Sequence, residues 1–415
     1  MSENYGLYQQ QIYANGALNN VLPTVTTDPR LLEEQARKAL GSRSFNYVAG
    51  GAGEKATMDS NRLAFRQWKL QDTKDDEAGL SIAYAVSIRI GEPDISVTLF
   101  GQKYPTPLLM APVGVQSLFH DDKETGLAEV CAEVGVPYIL STASSSSIED
   151  VAAASGNGKR WYQLYWPQDD DVTLSLLKRA KENGYEVLVV TLDTWSLAWR
   201  PADLDNAYIP FIKGVGNQVG FSDPVFRAKF EESSGCKVEE DIVGASRAWI
   251  SDVFSGKPHT WEQLELLRKN WDGPIVLKGI QHVEDAKLAL KYGCDGIVVS
   301  NHGGRQVDGA IASLEVLPEI VDAVGSKMTV LFDSGIRTGA DIVKALALGA
   351  KAVLVSRPVI YGLAIDGKHG AKAVLQGLLA DFYQTIALAG IGTIANCNRE
   401  VVRRVQYGGD VKAMM

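Results

Sequence analysis

Residues 329–356 read TVLFDSGIRTGADIVKALALGAKAVLVS, a pattern that indicates the architecture of most of the chain. A short apolar run at 329–333 is followed by an amphipathic run at 340–348 and a second apolar run at 352–356. Apolar runs without polar alternation are typical of parallel strands that helices cover. The stretch therefore predicts a strand, a helix and a second strand parallel to the first.

The same alternation recurs from residue 107 onward. The apolar runs lie at residues 107–111, 138–141, 160–165, 187–192, 275–278, 296–300, 329–333 and 352–356. A succession of eight strand–helix units predicts an α/β fold of the (β/α)8 type, a TIM barrel. A doubly wound parallel sheet is the structural alternative.

Three segments lie outside this repeat. Residues 1–105 are predicted to be a helical segment that packs on the barrel, with Asp28 capping a helix that starts at Pro29. The barrel is expected over residues 106–390, and residues 391–415 form a C-terminal tail. An insertion at 194–259, after the fourth strand, far exceeds the usual length of roughly two to six residues. Its position at the catalytic end of a barrel favours a long lid loop.

Composition excludes several classes of protein. Hydrophobic residues make up 46% and charged residues 22%, which rules out a disordered chain, a collagen and a coiled coil. The net charge of −9 argues against a nucleic-acid partner. The four cysteines are widely spaced and form no metal-binding motif, so we expect free thiols and no metal. No secretory signal and no run able to cross a bilayer are present, which favours a cytoplasmic enzyme without a membrane partner.

Polar or conformationally special residues follow every predicted strand. A TIM barrel builds its active site from the carboxyl ends of its strands, so these residues are the candidates for a site. In chain order they are Pro112, Val113 and Gly114; Ser141; Gln163 and Tyr165; Thr191 and Arg200; Lys278; Ser300, His302 and Arg305; Asp333, Ser334, Gly335 and Arg337; Ser356 and Arg357.

His302 is the sharpest of these candidates. Two glycines follow it, so the backbone can approach a ligand closely, and Arg305 lies three residues further on. A neutral imidazole beside a guanidinium suits a general base next to an anionic substrate. The alternative is a hydrogen-bonded structural histidine. Arg200 and Arg305 are suited to hold a carboxylate from two sides, although Arg200 could instead form a surface ion pair with Asp203 or Asp205.

Two further features suggest anionic ligands. Gly335 with Arg337, and Arg357, occupy the usual phosphate site of TIM barrels after the seventh and eighth strands, which implies a phosphorylated ligand. Lys278 stands alone at the end of a buried strand and therefore needs an anionic partner. A lysine that forms a Schiff base is the alternative for Lys278.

Residues 300–306, SNHGGRQ, resemble the signature of the FMN-dependent L-2-hydroxy acid oxidising enzymes. This family includes glycolate oxidase, lactate oxidase and lactate 2-monooxygenase. Four other stretches match in order, at 46–52 (NYVAGGA), 163–165 (QLY), 276–279 (VLKG) and 333–337 (DSGIR). The resemblance runs from about residue 31 to about residue 390.

The resemblance implies FMN as the cofactor and a role for each candidate. His302 would take the proton of the substrate's 2-hydroxyl, and Tyr165 would hydrogen-bond that hydroxyl or the product carbonyl. Arg200, Arg305 and Tyr47 would hold the substrate carboxylate. Lys278 would lie at the N1/O2 edge of the flavin. The other residues would contact the cofactor: Pro112, Val113, Gly114, Ser141, Gln163, Thr191 and Ser300 its isoalloxazine and ribityl chain, and Asp333, Ser334, Gly335, Arg337, Ser356 and Arg357 its ribityl chain and phosphate.

Finer features resemble the lactate 2-monooxygenase branch. Ala143 stands where glycolate oxidases carry a bulky aromatic residue, Gly114 stands where the oxidases usually carry alanine, and the insertion is long. The implied reaction converts L-lactate and molecular oxygen into acetate, carbon dioxide and water. Ser356 departs from the family, which commonly has glycine there. The resemblance also implies a homo-oligomer, by analogy a tetramer.

Other functions remain open at this stage. One alternative is an oxidase that releases the keto acid and hydrogen peroxide. A dehydrogenase that uses a quinone or a cytochrome is less favoured, because no haem domain or membrane segment is found. A function of another class is a catalytically silent barrel that binds a phosphate ligand. Such a barrel would not need to keep His302, Arg200 and Tyr47 together.

Overall fold

The computed structural model describes residues 4–71 and 93–406. Its strands are β1 (Trp68–Leu70), β2 (Val97–Leu99), β3 (Gln102–Tyr104), β4 (Leu108–Met110), β5 (Tyr138–Ser141), β6 (Arg160–Leu164), β7 (Leu188–Thr191), β8 (Ile275–Ile280), β9 (Gly296–Val299), β10 (Thr329–Phe332), β11 (Ala352–Val355) and β12 (Val402–Arg404). Strands β4 to β11 pair side by side in parallel and close into a barrel. This closure confirms the TIM barrel and excludes the doubly wound sheet.

Helices surround the barrel and build the segments outside it. They are α1 (Leu7–Asn19), α2 (Leu32–Ala39), α3 (Ser42–Ala49), α4 (Ala56–Gln67), α5 (Lys123–Val134), α6 (Ile148–Ser155), α7 (Asp170–Glu182), α8 (Pro201–Leu204), α9 (Gln218–Phe221), α10 (Pro224–Ser234), α11 (Ile242–Val253), α12 (Leu264–Asn270), α13 (Val283–Lys291), α14 (Ser313–Val324), α15 (Gly339–Ala347) and α16 (Arg357–Leu388). No helix in the described parts of the chain is long and apolar enough to cross a membrane.

The barrel interior is packed and closed at its amino-terminal end. Inward-facing side chains of the strands, such as Val189 and Val276, form a buried cluster separate from the core between strands and helices. The hairpin of β2 and β3 adds Leu99 and Tyr104 to this cluster, and the ring of Tyr104 meets Trp161 edge to face. The opposite end, where the strands carry their polar residues, is the end that can receive a ligand.

The amino-terminal segment is helical, but its predicted helix start is wrong. Helix α2 begins at Leu32 and not at Pro29. The side chain of Asp28 accepts a hydrogen bond from the N–H of Arg30, and its carbonyl accepts one from Leu31. These bonds form a turn before the helix, so Asp28 serves the turn and does not cap the helix. Leu32 and Ala36 of this helix are buried.

The carboxyl-terminal residues predicted as a tail contain ordered structure. Strand β12 pairs antiparallel with β1, which directly follows α4, with Trp68 opposite Arg404. Residues 68–70 of the amino-terminal segment and residues 402–404 therefore meet outside the barrel. The domain boundaries of the sequence analysis stay a prediction.

The insertion after the fourth barrel strand is present and largely helical. It contains α8 to α11 and a 3₁₀ turn at Pro210–Lys213. Asp223 caps α10 by accepting hydrogen bonds from the N–H groups of Val225 and Phe226, and Asp241 caps α11. Trp249 is 2% exposed, and its ring lies so close to Gly220 that a side chain at residue 220 would collide with it. The insertion is therefore a packed unit with its own apolar contacts and not an open loop.

Candidate active site

A cavity opens at the carboxyl ends of the barrel strands. Its empty volume is about 1080 Å³, including the open mouth. The structure brings most sequence-predicted residues to its wall. These are Tyr47, Pro112, Val113, Gly114, Ser141, Tyr165, Arg200, Lys278, His302, Arg305, Asp333, Ser334, Gly335, Arg337, Ser356 and Arg357.

Three predicted residues lie beneath the wall and not on it. Ser141 Oγ donates to Gln163 Oε1 over 3.1 Å, and Gln163 Nε2 donates to Thr191 Oγ1 over 3.0 Å. Ser300 is fully buried and accepts a bond from Lys278 Nζ. Gln163, Thr191 and Ser300 therefore support residues that face the cavity, and a direct contact of these three with a cofactor stays a prediction.

His302 lies in a backbone turn of unusual conformation. The φ angles of His302, Gly303 and Gly304 are 56°, 65° and 74°, all left-handed. For a non-glycine residue this conformation costs on the order of 1–3 kcal/mol, so surrounding contacts must maintain it. The N–H of His302 donates to Ser300 Oγ, and the N–H of Gly303 donates to Ser334 Oγ. The barrel strands on both sides thus fix the turn that presents the imidazole.

A carboxylate that the sequence analysis missed holds the imidazole. Nδ1 of His302 lies 2.6 Å from Asp193 Oδ1, and the same oxygen accepts a bond from Thr194 Oγ1. With its proton on Nδ1 and donated to Asp193, the ring keeps Nε2 free to accept a proton. Burial lowers the pKa of His302, partly offset by Asp193, so the ring is neutral near pH 7. Burial opposes ionisation of Asp193, but His302 and Lys278 outweigh it and lower the pKa of that carboxyl.

Lys278 is a buried ammonium group. Its Nζ lies 3.4 Å from Asp333 Oδ2 and 3.8 Å from Asp193 Oδ2. Burial alone would lower the pKa of Lys278, but these two carboxylates outweigh it and raise the pKa above its ordinary value. A Schiff base requires a neutral amine. The structure therefore favours a fixed positive charge and disfavours the Schiff-base alternative.

Arg200, which is buried, and Arg305, which is half-buried, share one side of the cavity, and neither forms an ion pair with a carboxylate among the described residues. Arg200 donates to the carbonyl of Arg305 and to Gln306 Oε1, and not to Asp203 or Asp205. Arg305 donates to the carbonyl of Gly50 over 2.7 Å. Burial, and then the charge of Arg200, lower the pKa of Arg305 to about 10. A bound carboxylate would relieve this repulsion.

Two tyrosines stand near this pair of arginines. The guanidinium of Arg305 lies 5.3 Å from the ring centroid of Tyr47. Tyr165 packs edge to face on Phe254, with centroids 5.1 Å apart. Burial, with a contribution from Asp193, raises the pKa of Tyr165 to about 12, so its hydroxyl stays protonated and can donate a hydrogen bond.

The other side of the cavity suits a phosphate. Arg337 and Arg357 both line it, and burial followed by the charge of Arg357 lowers the pKa of Arg337. The guanidinium of Arg337 lies 3.9 Å from the carboxylate of Glu33. Gly335 also lines the cavity and has a φ of 95°, a left-handed conformation that favours glycine. Ser356 has a φ of −129°, outside the left-handed region that favours glycine.

The cavity is also lined by apolar residues that were not predicted from the sequence. Leu197, Phe211 and Phe254 come from the insertion, Phe119 from the turn before α5, and Ile336, Pro358 and Ile360 from the last two units. No motif marks these apolar residues. Asp193 left a weak signal, since it follows Thr191 closely, at the end of the fourth barrel strand.

Comparison with known proteins assigns the chain to a family. The family model described as FMN-dependent dehydrogenase matches residues 36–404. The chain belongs to this family. It is 63% identical over 412 residues to the FMN-dependent alpha-hydroxy acid dehydrogenase qulF of Penicillium citrinum, and the match covers 99% of each protein. It is 39% identical over 363 residues to the L-lactate oxidase of Lysinibacillus sphaericus, with 88% of this chain and 89% of that protein covered.

Solved structures agree with this assignment. Mandelate oxidase with (S)-4-hydroxymandelic acid superimposes with a TM-score of 0.78 and 34% identity, over 92% of this chain and 100% of that one. The cofactor is therefore FMN, and the reaction is the oxidation of a 2-hydroxy acid. The cavity fits this cofactor, because Arg337 and Arg357 offer positive charge to a phosphate and Lys278 offers it at the floor of the barrel.

Proposed function

We propose that the chain oxidises a small L-2-hydroxy acid with an apolar substituent. The proposed substrate is L-lactate, and the proposed activity is that of a lactate 2-monooxygenase. One observation carries the catalytic part of this proposal. His302, which Asp193 holds by a hydrogen bond, borders the same cavity as Arg200 and Arg305, so a base and an anion site serve the same ligand. The oxygen chemistry rests on the folded insertion.

Substrate binding follows from charge. Arg200 and Arg305 bind the carboxylate from two sides, and the hydroxyl of Tyr47 adds a hydrogen bond to it. The substituent on the 2-carbon faces the apolar side chains of Ala143, Leu197 and Phe254. The small side chain of Ala143 leaves room for a methyl group or a larger apolar group.

Proton transfer follows from the orientation of His302. Its Nε2 accepts the proton of the substrate's 2-hydroxyl, while Nδ1–H stays bonded to Asp193. Asp193 stabilises the imidazolium that forms. The hydroxyl of Tyr165 donates a hydrogen bond to the substrate oxygen as it becomes the carbonyl of the keto acid.

The cofactor provides the redox chemistry. When bound, FMN supplies the two-electron acceptor for the substrate and, once reduced, the reductant for molecular oxygen. Arg337 and Arg357, with the backbone at Gly335, hold its phosphate. The ammonium of Lys278, which Asp333 and Asp193 hold in place, would stabilise negative charge on the reduced cofactor without reorganisation.

Product retention would decide the outcome with oxygen. Pyruvate and hydrogen peroxide together give acetate, carbon dioxide and water, provided that pyruvate is still in the cavity when peroxide forms. The insertion supports retention because it contributes Leu197, Phe211 and Phe254 to the wall. Phe211 and Phe254 also pack on each other, with centroids 5.6 Å apart. The two arginines hold the pyruvate carboxylate as they held that of the substrate.

The structure explains the glycine at residue 114 by packing alone, without reference to the reaction with oxygen. A Cβ atom at residue 114 would collide with the backbone of Ala143 and come within 2.7 Å of its Cβ. The N–H of Val115 donates to the carbonyl of Ala143, which fixes this close approach. The monooxygenase proposal therefore rests on the insertion and the arginines, and replacement of Gly114 is not a clean test of it.

A simple oxidase is the second candidate. The cavity is open on one side, which gives the keto acid a way out before oxygen is reduced. The relative from Lysinibacillus sphaericus is named an L-lactate oxidase. A homo-oligomer and a cytoplasmic location stay part of this proposal as predictions.

The ratio of products separates the two candidates. The FMN-loaded protein turns over L-lactate in air, with catalase present to destroy peroxide that leaves the site. Acetate and pyruvate are then quantified at full conversion. Mostly acetate with little oxygen returned by catalase is the expected result for the monooxygenase. Mostly pyruvate would assign the chain to the oxidases.

A further inference from the structure

The turn that carries His302 is tied to the amino-terminal segment by a pair of asparagines. Nδ2 of Asn61, on α4, donates to Asn301 Oδ1 over 2.9 Å, and Nδ2 of Asn301 donates back to Asn61 Oδ1 over 2.7 Å. Both residues are buried, with 3% and 8% of their surfaces exposed. Asn301 immediately precedes His302. We propose that Asn61 is a positioning residue for His302, acting through Asn301 across the boundary between the two segments.

Each amide of the pair also bonds the turn or the segment that follows it. Asn301 Oδ1 accepts a bond from the N–H of Gly304, and Asn301 Nδ2 donates to the carbonyl of Ile311. Asn61 Oδ1 accepts a bond from the N–H of Ser313. The pair therefore joins the start of the left-handed turn to its end, and both to helix α4.

These additional bonds fix the orientation of the Asn301 amide. If the amide rotated by half a turn, its NH₂ group would face the N–H of Gly304, and its oxygen would face the carbonyl of Ile311. Both contacts would be repulsive. Asn301 therefore cannot adapt to a changed partner by rotation, and the amide donor that Asn301 needs at its Oδ1 has to come from Asn61.

The left-handed turn explains why this support matters. His302, Gly303 and Gly304 have consecutive positive φ angles. Of the three, His302 has a side chain, so the left-handed conformation is unfavourable for His302. Without the pair, the turn can relax and carry the imidazole away from its place beside Asp193. A displacement of about 1 Å at a reacting group costs up to about 10²-fold in rate.

The guanidinium groups of the anion site have supports besides the turn, although Arg200 also donates to the carbonyl of Arg305, which directly follows the turn. The guanidinium of Arg305 is bonded to the carbonyl of Gly50 and packs on Tyr47, and Arg200 comes from the insertion side of the cavity. Loss of the Asn61 contact should therefore affect proton transfer more than substrate binding. This split distinguishes a positioning role from a general loss of structure.

The test compares two substitutions on the same helix. Asn61→Asp keeps the size of the side chain but places a carboxylate oxygen against Asn301 Oδ1. Thr57→Val is the matched control, because Thr57 is one helical turn earlier and fully buried. Its hydroxyl also bonds the residues after the turn, at the carbonyl of Val307 and the N–H of Ala310. Both variants remove hydrogen bonds between α4 and the same segment, but only Asn61 reaches Asn301.

The measurement is anaerobic flavin reduction in stopped flow, with FMN-loaded proteins and the L-2-hydroxy acid that reduces the wild type fastest. Reduction of the wild type tests the proposed function first, so failure of that proposal is seen separately. For Asn61→Asp we expect the limiting rate to fall by about tenfold to 10²-fold, with half-saturation changed by no more than about twofold. For Thr57→Val we expect a limiting rate within about threefold of the wild type.

Two results would overturn the inference. One is a limiting rate of Asn61→Asp equal to that of the wild type. The other is an equal loss in Thr57→Val, which would mean that any loosening of α4 has the same effect. If Asn61→Asp yields no FMN-loaded protein, Asn61→Ser decides in its place. The shorter side chain of serine leaves Asn301 without the amide donor. For Asn61→Ser we therefore expect the same lower limiting rate with nearly unchanged half-saturation.

Discussion

Three titratable side chains of the candidate site, those of His302, Asp193 and Lys278, depend on one another. Asp193 lies between the imidazole of His302 and the ammonium of Lys278, so its single negative charge serves both. Burial lowers the pKa of His302, and Asp193 limits that decrease. His302 and Lys278 can be predicted from the sequence because they lie at the ends of predicted strands. The contact between Asp193 and His302 joins residues 109 positions apart, so it exists only after folding.

Replacement of Asp193 tests this arrangement. Asp193→Asn removes the charge and allows the amide to bond the wrong imidazole nitrogen, so we expect flavin reduction to slow by about 10²- to 10⁴-fold. A protonated imidazole cannot accept a proton, so the rate rises with pH through the pKa of His302 and is then constant. The wild-type inflection should lie below 6.5, and the variant's lower still, because the charge that raised the pKa is gone. A variant inflection above that of the wild type would contradict the assignment.

Replacement of Lys278 tests the fixed positive charge. Lys278→Met keeps much of the side-chain volume and removes the ammonium. We expect the FMN-loaded variant to bind sulfite at least about tenfold more weakly, because a nearby cation stabilises the anionic adduct. Lys344→Met is the control, since the ammonium of Lys344 bonds the carbonyl of Phe65 and not the cavity. Equal sulfite affinity in the Lys278 variant and the wild type would place Lys278 outside this role.

At the level of elements, strands were easier to predict from the sequence than the insertion. The barrel strands follow from apolar runs whose meaning is local, and every one lies where it was predicted. The insertion was interpreted as a loop because Gly214, Gly216 and the charged stretch at 229–241 break the apolar pattern. Its helices depend on local caps such as Asp223, and its packing depends on the contact of Trp249 with Gly220, two residues that are distant in the sequence.

The insertion should control product release. Trp249→Ala removes its buried anchor, at a cost of about 3–5 kcal/mol in local packing. We expect the fraction of L-lactate converted to acetate to fall and that of pyruvate to rise, while anaerobic flavin reduction changes little. Val243→Ala is the control, because Val243 lies on the same helix and is exposed. If the Trp249 variant is less stable but gives the same ratio of acetate to pyruvate, the insertion does not control the retention of pyruvate.

Across the whole molecule, positive charge collects at one end of the barrel. Arg200, Arg305, Arg337 and Arg357 all line the cavity, and the first two and the last two repel each other in pairs. In the proposed function, the carboxylate of the substrate would balance the first pair and the phosphate of FMN the second. The cofactor is therefore expected to stabilise the folded chain as well as to act in the reaction.

Removal of the cofactor tests this expectation. Binding at about 100 times the Kd stabilises a protein by about 2.7 kcal/mol, so the apoprotein should have a lower Tm than the FMN-loaded protein. Riboflavin, which lacks the phosphate, should restore less of the loss than FMN at equal concentration. Arg337→Leu should reduce that difference between the two ligands. Equal stabilisation by riboflavin and FMN would mean that the two arginines do not bind the phosphate.

The most direct test of the account is the absorbance of the bound flavin after anaerobic mixing with L-lactate, in the wild type and in His302→Ala. We expect the flavin band of the wild type to bleach within the enzyme's turnover time. In the variant, FMN should stay bound while bleaching slows by about 10²- to 10⁴-fold. Bleaching of His302→Ala at the wild-type rate would contradict the assignment of His302 as the proton acceptor.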